Sequence, residues 1–179
     1  THPSAAGPPE GTPVKTALRL ARSPLDIVHS DLDRRHVFAA ERVGFVACKT
    51  ARIDGGLLLL GSEYMPVANE DYEDDSDPAI GAMLGAAAIR KALQHAYFND
   101  VAMLHVHRHE HTGVPRFSPV DLRESAKFVP DFWKVRRGVP HGTLVLSHDA
   151  LFGLCWDPVS GKPEPINQIS IIGSPLRIF

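Results

Sequence analysis

The chain has 179 residues, enough for one domain and too few for a second sizeable core. Its formal net charge of −2 lacks the concentrated basic surface that nucleic acid or an anionic membrane requires, so neither is expected as a partner. The longest apolar run, Gly56–Gly61, falls far short of the roughly twenty residues that cross a bilayer, and two cysteines exclude a disulfide framework or a four-cysteine zinc knuckle.

Residues Thr1–Pro13, rich in Pro, Gly, Ala, Ser and Thr, read as a flexible leader with nothing to bury, ahead of a single domain over 14–179. Val14–Leu20 alternates weakly and predicts an edge strand. Ser23-Pro24 starts a helix that runs toward Ala40 with Leu25, Val28 and Leu32 on one face. Val43–Thr50 and Leu57–Pro66 flank Asp54-Gly55-Gly56, a strong hairpin signal. Glu70–Asp77 is an acidic loop, read as a solvated connection. Asp77-Pro78 predicts a helix to about Phe98, whose small residues let it lie close against a sheet. Val101–His107 reads as a strand and Ser118–Val129 as a short helix ended by Pro130. Thr143–Leu146 and Leu151–Trp156 form a second hairpin, and Gln168–Ile172 is a last strand. Strands interleaved with three helices predict an α/β fold with a mixed sheet flanked by helices. No basic stretch followed by an apolar segment opens the chain, so no signal peptide is expected, and a reducing, cytoplasmic setting fits the two free thiols.

Four of the ten histidines stand at alternate positions, His105, His107, His109 and His111. Alternate residues of a strand share a face, so two neighbours of this set can aim their rings at one point. Zinc takes neutral imidazole nitrogen, which makes a His-x-His pair at a strand end a two-ligand claw. Downstream, Ser118-Pro119-Val120-Asp121 reads as a capping-box helix start in which Ser118 caps and Asp121 reaches back. The same start can offer Asp121 as a third ligand and turn the Ser118 hydroxyl toward the site. A hydrolytic site with three ligands also needs a general base, and the candidate is Glu41 in Ala40-Glu41-Arg42-Val43-Gly44. The residues alone leave open which neighbouring histidines form the pair.

Glu-x-x-Gly, a hairpin, a small-residue helix, His-x-His, a spacer and Ser-x-x-Asp together resemble the JAMM (MPN-plus) metalloprotease family in its bacterial JAB-domain branch, over roughly Val14–Ile172. The resemblance implies an MPN/JAB-like mixed sheet with a zinc site at a strand end, holding one Zn2+ per chain. It implies His107, His109 and Asp121 as zinc ligands, Glu41 as the acid/base, and Ser118 as the group that steadies the oxyanion. The spacer Glu110–Phe117 is one residue longer than is typical of the family when counted from His109. His105/His107 would lengthen it further and His109/His111 would shorten it. The pair His107/His109 is preferred because His109/His111 lies beyond the apolar strand that must anchor a ligand. His105 then lies on the site side of the strand, and His111 belongs to a loop over the site.

The resemblance further implies hydrolysis of the amide or isopeptide bond after the C-terminal Gly of a ubiquitin-like protein. Its conjugates would be substrates, with E1-like and E2-like enzymes of an antiviral conjugation system as partners. The tail of the modifier is expected along a strand edge, with the Arg52–Glu63 hairpin and the acidic Glu70–Asp77 loop beside it. Two other readings belong to the same residues: a JAB peptidase that trims a ubiquitin-like sulfur carrier, and a non-catalytic MPN scaffold. Zinc deaminases are excluded by the lack of Cys-x-x-Cys, and His-Glu-x-x-His zincins because Gly113 stands where the second His would be. Cys48 and Cys155 sit in apolar strand contexts that suit inert buried thiols. The stretch Phe128, Phe132, Trp133, Lys134, Arg136, Arg137 reads as packed aromatics with solvated charges.

Overall fold

A computed structural model describes residues 15–35, 39–53, 55–73 and 82–179. Alternating burial marks β1 (Lys15–Ala21), where Leu18 and Leu20 are buried between exposed Lys15, Arg19 and Ala21. The chain turns directly into α1 (Arg22–Leu32), which buries Leu25, Val28 and Leu32 as their spacing predicts. The helix begins one residue before Ser23, which makes no cap, and it stops at Leu32 rather than running toward Ala40. The hairpin of β2 (Val43–Ile53) and β3 (Gly56–Pro66) follows. At its turn Gly55 has φ 71°, a left-handed conformation that glycine adopts without a steric penalty; Asp54 lies outside the described residues.

The described part of the acidic stretch, residues 70–73, is folded rather than a solvated connection. Asn69–Asp71 form a 3₁₀ turn and Tyr72–Glu73 form β4. Asp71 is buried and paired with Lys91 at 2.5 Å, so this carboxylate ties the chain to a helix instead of facing solvent. Residues 74–81, which include the expected helix start Asp77-Pro78, lie outside the described residues, as does the leader Thr1–Pro13. The helix itself starts later than predicted. Met83–Leu84 form β5, and α2 spans Ala86–Asn99 with Ala88, Ala92 and Ala96 buried. The glycine at position 85 is extended rather than helical, its N–H donating to the Asp71 carbonyl at 2.9 Å.

The second half supplies β6 (Ala102–Arg108), α3 (Pro119–Phe128) and a 3₁₀ segment, Val129–Lys134, that contains Pro130. It continues through β7 (His141–Leu146), β8 (Leu151–Trp156), β9 (Pro163–Pro165), β10 (Gln168–Ile172) and β11 (Arg177–Ile178). Nine strands make one mixed sheet in the order β11-β10-β1-β3-β2-β6-β7-β8-β9, and β4 and β5 pair separately. The first strand is not at an edge: β1 runs parallel to both β10 and β3. Its partners come from opposite ends of the sequence, so no local pattern announces them. The other parallel pair is β6–β7, while β2 is antiparallel to β3 and β6.

Alternation divides the core. Val46, Cys48, Leu104 and Val106 pack with α1 on one face of the sheet, and Phe45, Ala47 and Met103 pack with α2 on the other. His105 and His107 share that second face, since they alternate with Leu104 and Val106. Phe132 is buried there, and Trp133 Nε1 donates to the Val139 carbonyl at 3.1 Å. Lys134 pairs with Asp131 and Arg136 with Asp100, so the aromatics of this stretch pack as expected, and Lys134 and Arg137 stay exposed as expected.

Candidate metal centre

Three elements meet at one end of the sheet. In β6, His107 lies opposite Val43 of β2 and opposite Val145 of β7. The ladder continues one residue past the strand, where the His109 N–H donates to the Leu146 carbonyl at 2.9 Å. That bond holds His109 in the strand's alternation and turns its ring to the same side as His107. The third element is the start of α3. Ser118 is its N-cap: the Asp121 N–H donates to Ser118 Oγ at 3.1 Å, and the Ser118 N–H donates to Asp121 Oδ2 at 2.7 Å. This reciprocal box fixes the carboxylate without using a residue from elsewhere in the chain.

The result is a compact donor set. Nε2 of His107 and Nε2 of His109 are 3.3 Å apart, and each is 3.5 Å from Asp121 Oδ2. A metal held at about 2.0–2.1 Å by donors at tetrahedral angles separates those donors by about 3.3–3.4 Å. The three edges lie within about 0.2 Å of that figure, and these three residues form the one group of such donors found among the described residues. Burial works against charge on the Asp121 carboxyl, but His107 and the Ser118 hydrogen bonds outweigh it and hold the group well below the usual carboxylate range. The donor set is therefore two imidazoles and an ionised carboxylate, a set that can hold a divalent metal ion.

Glu41 lies two residues before β2, and β2 begins where β6 ends, so antiparallel register carries the glutamate to the donor set. It lines the same cavity of about 220 Å³ as His105, His107 and Asp121. Burial raises the Glu41 pKa, while His107 and His109 pull it down. Gly44, the glycine of Glu-x-x-Gly, is where the Tyr64 ring crosses β2 and leaves no room for a Cβ. Tyr64 in turn donates to Asp31 of α1 at 2.6 Å.

The outer histidines do not join the group. His105 is boxed by the rings of Phe45 and Phe128 at 5.6 and 5.2 Å, with Nδ1 3.4 Å from Thr143 Oγ1. Its burial, reinforced by His107, pushes its pKa down to about 3, so it stands neutral beside the site. His111 is exposed with its ring turned to the Thr112 carbonyl. Cys48 and Cys155 are buried, and burial raises both thiols, Cys155 to about 12.

Sequence reasoning missed Tyr72, Arg42 and Arg108. Tyr72 brackets Val43, its hydroxyl receiving the Val43 N–H at 2.9 Å. Arg42 and Arg108 are buried arginines next to the functional residues. Their one sequence signal is a charge at the end of an apolar strand, Arg42 just before β2 and Arg108 as the last residue of β6, which does not name a partner. Among the described residues no helix is long and apolar enough to cross a membrane. A scan against family models finds none that matches the chain, and no curated protein matches it.

Proposed function

We propose that the chain is a zinc metallopeptidase of the JAMM (MPN-plus) type with an MPN/JAB-like fold, acting in the cytoplasm on a ubiquitin-like protein. The supporting observation is the donor triangle of His107, His109 and Asp121, with edges of 3.3–3.5 Å and Glu41 on the wall of the same cavity. The order of these residues in the chain, Glu-x-x-Gly before His-x-His before Ser-x-x-Asp, is that of the family it resembles.

His107, His109 and Asp121 would hold the zinc ion, which would supply a Lewis acid for the scissile carbonyl and the attacking water. Glu41 takes the proton of that water and delivers it to the leaving nitrogen; the upward push on its pKa from burial suits a group that must both accept and return a proton. Ser118 uses its oxygen to receive the Asp121 N–H, which leaves its O–H free to donate to the developing oxyanion. His105, neutral and enclosed, contributes no proton and serves as part of the cavity wall.

The substrate class follows from the resemblance: the amide or isopeptide bond after the C-terminal Gly of a ubiquitin-like protein, within an antiviral conjugation system that supplies E1-like and E2-like enzymes. The test is metal analysis together with cleavage of a ubiquitin-like fusion by the wild type and Glu41→Ala. The expected result is one zinc per chain in both proteins, with cleavage in the wild type alone. Equal cleavage by both removes Glu41 from the chemistry, and a wild type that binds no zinc favours a scaffold.

A further inference from the structure

Glu41 sits outside any helix or strand, and His109 stands just past the end of β6. The β2–β6 ladder and the bond from the His109 N–H to the Leu146 carbonyl fix the strand backbone beside them, and two buried guanidinium groups add a tie outside the ladder. Arg42, the next residue after Glu41, is 5% exposed, and Arg108, between the two imidazoles, is 8% exposed. Arg42 Nε donates to the Arg34 carbonyl at 3.0 Å, and Nη2 donates to the Arg35 carbonyl at 3.1 Å and to Asn69 Oδ1 at 2.9 Å. Arg108 Nη2 donates to Asp33 Oδ1 at 2.6 Å and to Glu110 Oε1 at 2.7 Å, with Nε 3.1 Å from the same Glu110 oxygen. Each fork therefore has a branch on one stretch of three residues, Arg108 on Asp33 and Arg42 on the Arg34 and Arg35 carbonyls, while Glu110 and Asn69 take the remaining bonds. Asp33 is the C-cap of α1, and its own N–H is bonded to the His29 and Asp31 carbonyls.

We infer that the C-terminal end of α1 is a common anchor that sets Glu41 against the His107/His109 pair, with Asp33, Arg42 and Arg108 as positioning residues. The inference deepens the peptidase reading and rests on it for the catalytic consequence. A guanidinium offers five donors in a rigid plane, so a fork with two or three fixed acceptors has one orientation, whereas a lysine ammonium on a flexible stem has many. The backbone of Arg42 is continuous with Glu41, and that of Arg108 with both imidazoles. Fixing each fork on the same helix end fixes the two backbones relative to each other. A misplacement of about 1 Å at such a site costs about 10²-fold in rate.

The experiment uses the full-length, zinc-loaded chain and the variants Asp33→Ala, Asp33→Asn, Arg42→Lys and Glu41→Gln. The Asp33 side chain is 72% exposed, so its truncation leaves the core intact even if an Arg42 variant fails to fold. Zinc content, kcat and KM on a ubiquitin-like fusion, and hydrogen exchange at the Val43 and His109 amides are read together. Asp33→Ala and Arg42→Lys should keep one zinc and an unchanged KM while kcat falls about tenfold to a hundredfold. Exchange should quicken at His109 in Asp33→Ala, which cuts the Arg108 fork, and at Val43 in Arg42→Lys, while Asp33→Asn should restore much of the loss by retaining an acceptor. Unchanged kcat and exchange in Asp33→Ala, or a loss of kcat with exchange at His109 unchanged, overturns the anchor. If Glu41→Gln cleaves as well as the wild type, the acid/base reading fails by itself, and the exchange data still decide the anchor.

Discussion

His141 shows what a single buried side chain does for this fold. It is fully buried, its Nδ1 accepts the Met103 N–H at 3.1 Å, its Nε2 donates to the Arg136 carbonyl at 2.9 Å, and its ring stacks on Phe132. Both ring nitrogens are committed to the neutral form, and burial pushes the pKa down to about 4. The unfolded chain binds this proton near pH 6.5 and the folded chain near pH 4, so protonation favours unfolding across that interval. Stability should fall by about 3 kcal/mol between pH 6.5 and pH 4 through this residue. Denaturant melts of the metal-free chain at the two pH values measure it. His141→Gln, which cannot take the proton, should flatten the slope, and an equal slope in both proteins removes His141 as its cause.

At the scale of elements, what could be read locally is what local chemistry determines. The Ser118–Asp121 box needs only four consecutive residues, and the structure contains it as written. The alternation of His105 and His107 needs only a strand, and β6 provides one. The start of α2 was not legible in the same way, because Gly85 is held extended by the Asp71 backbone and not by its own neighbours. Asp71, read as a solvated acid, is instead buried and paired with Lys91 of α2. The small-residue stripe of α2 was legible and carries a consequence: Ala92 and Ala96 are 1% and 0% exposed against Phe45, Ala47 and Met103. Ala92→Leu should therefore destabilise the fold by about 1–3 kcal/mol by overpacking. Equilibrium unfolding of the variant checks this, and a neutral or stabilising result would mean that the helix stands off the sheet.

Across the whole molecule, the site exists because topology brings distant segments to one sheet end. The antiparallel pairing of β2 with β6 sets Val43 opposite His107, and with it brings Glu41 from early in the chain to the His107, His109 and Asp121 group far along it. Parallel pairing of β6 with β7 then extends the ladder to His109. Neither register can be read from the residues themselves, which is why motif order pointed to the site while Arg42, Arg108 and Tyr72, whose partners are non-local, went unseen. The most direct test of the account is diffraction from zinc-soaked crystals of the wild type at the zinc absorption edge. The account predicts one anomalous peak per chain, about 2.0–2.1 Å from His107 Nε2, His109 Nε2 and Asp121 Oδ2, with the Glu41 carboxyl beside it. No peak at these three atoms, or a peak held by other residues, would contradict it.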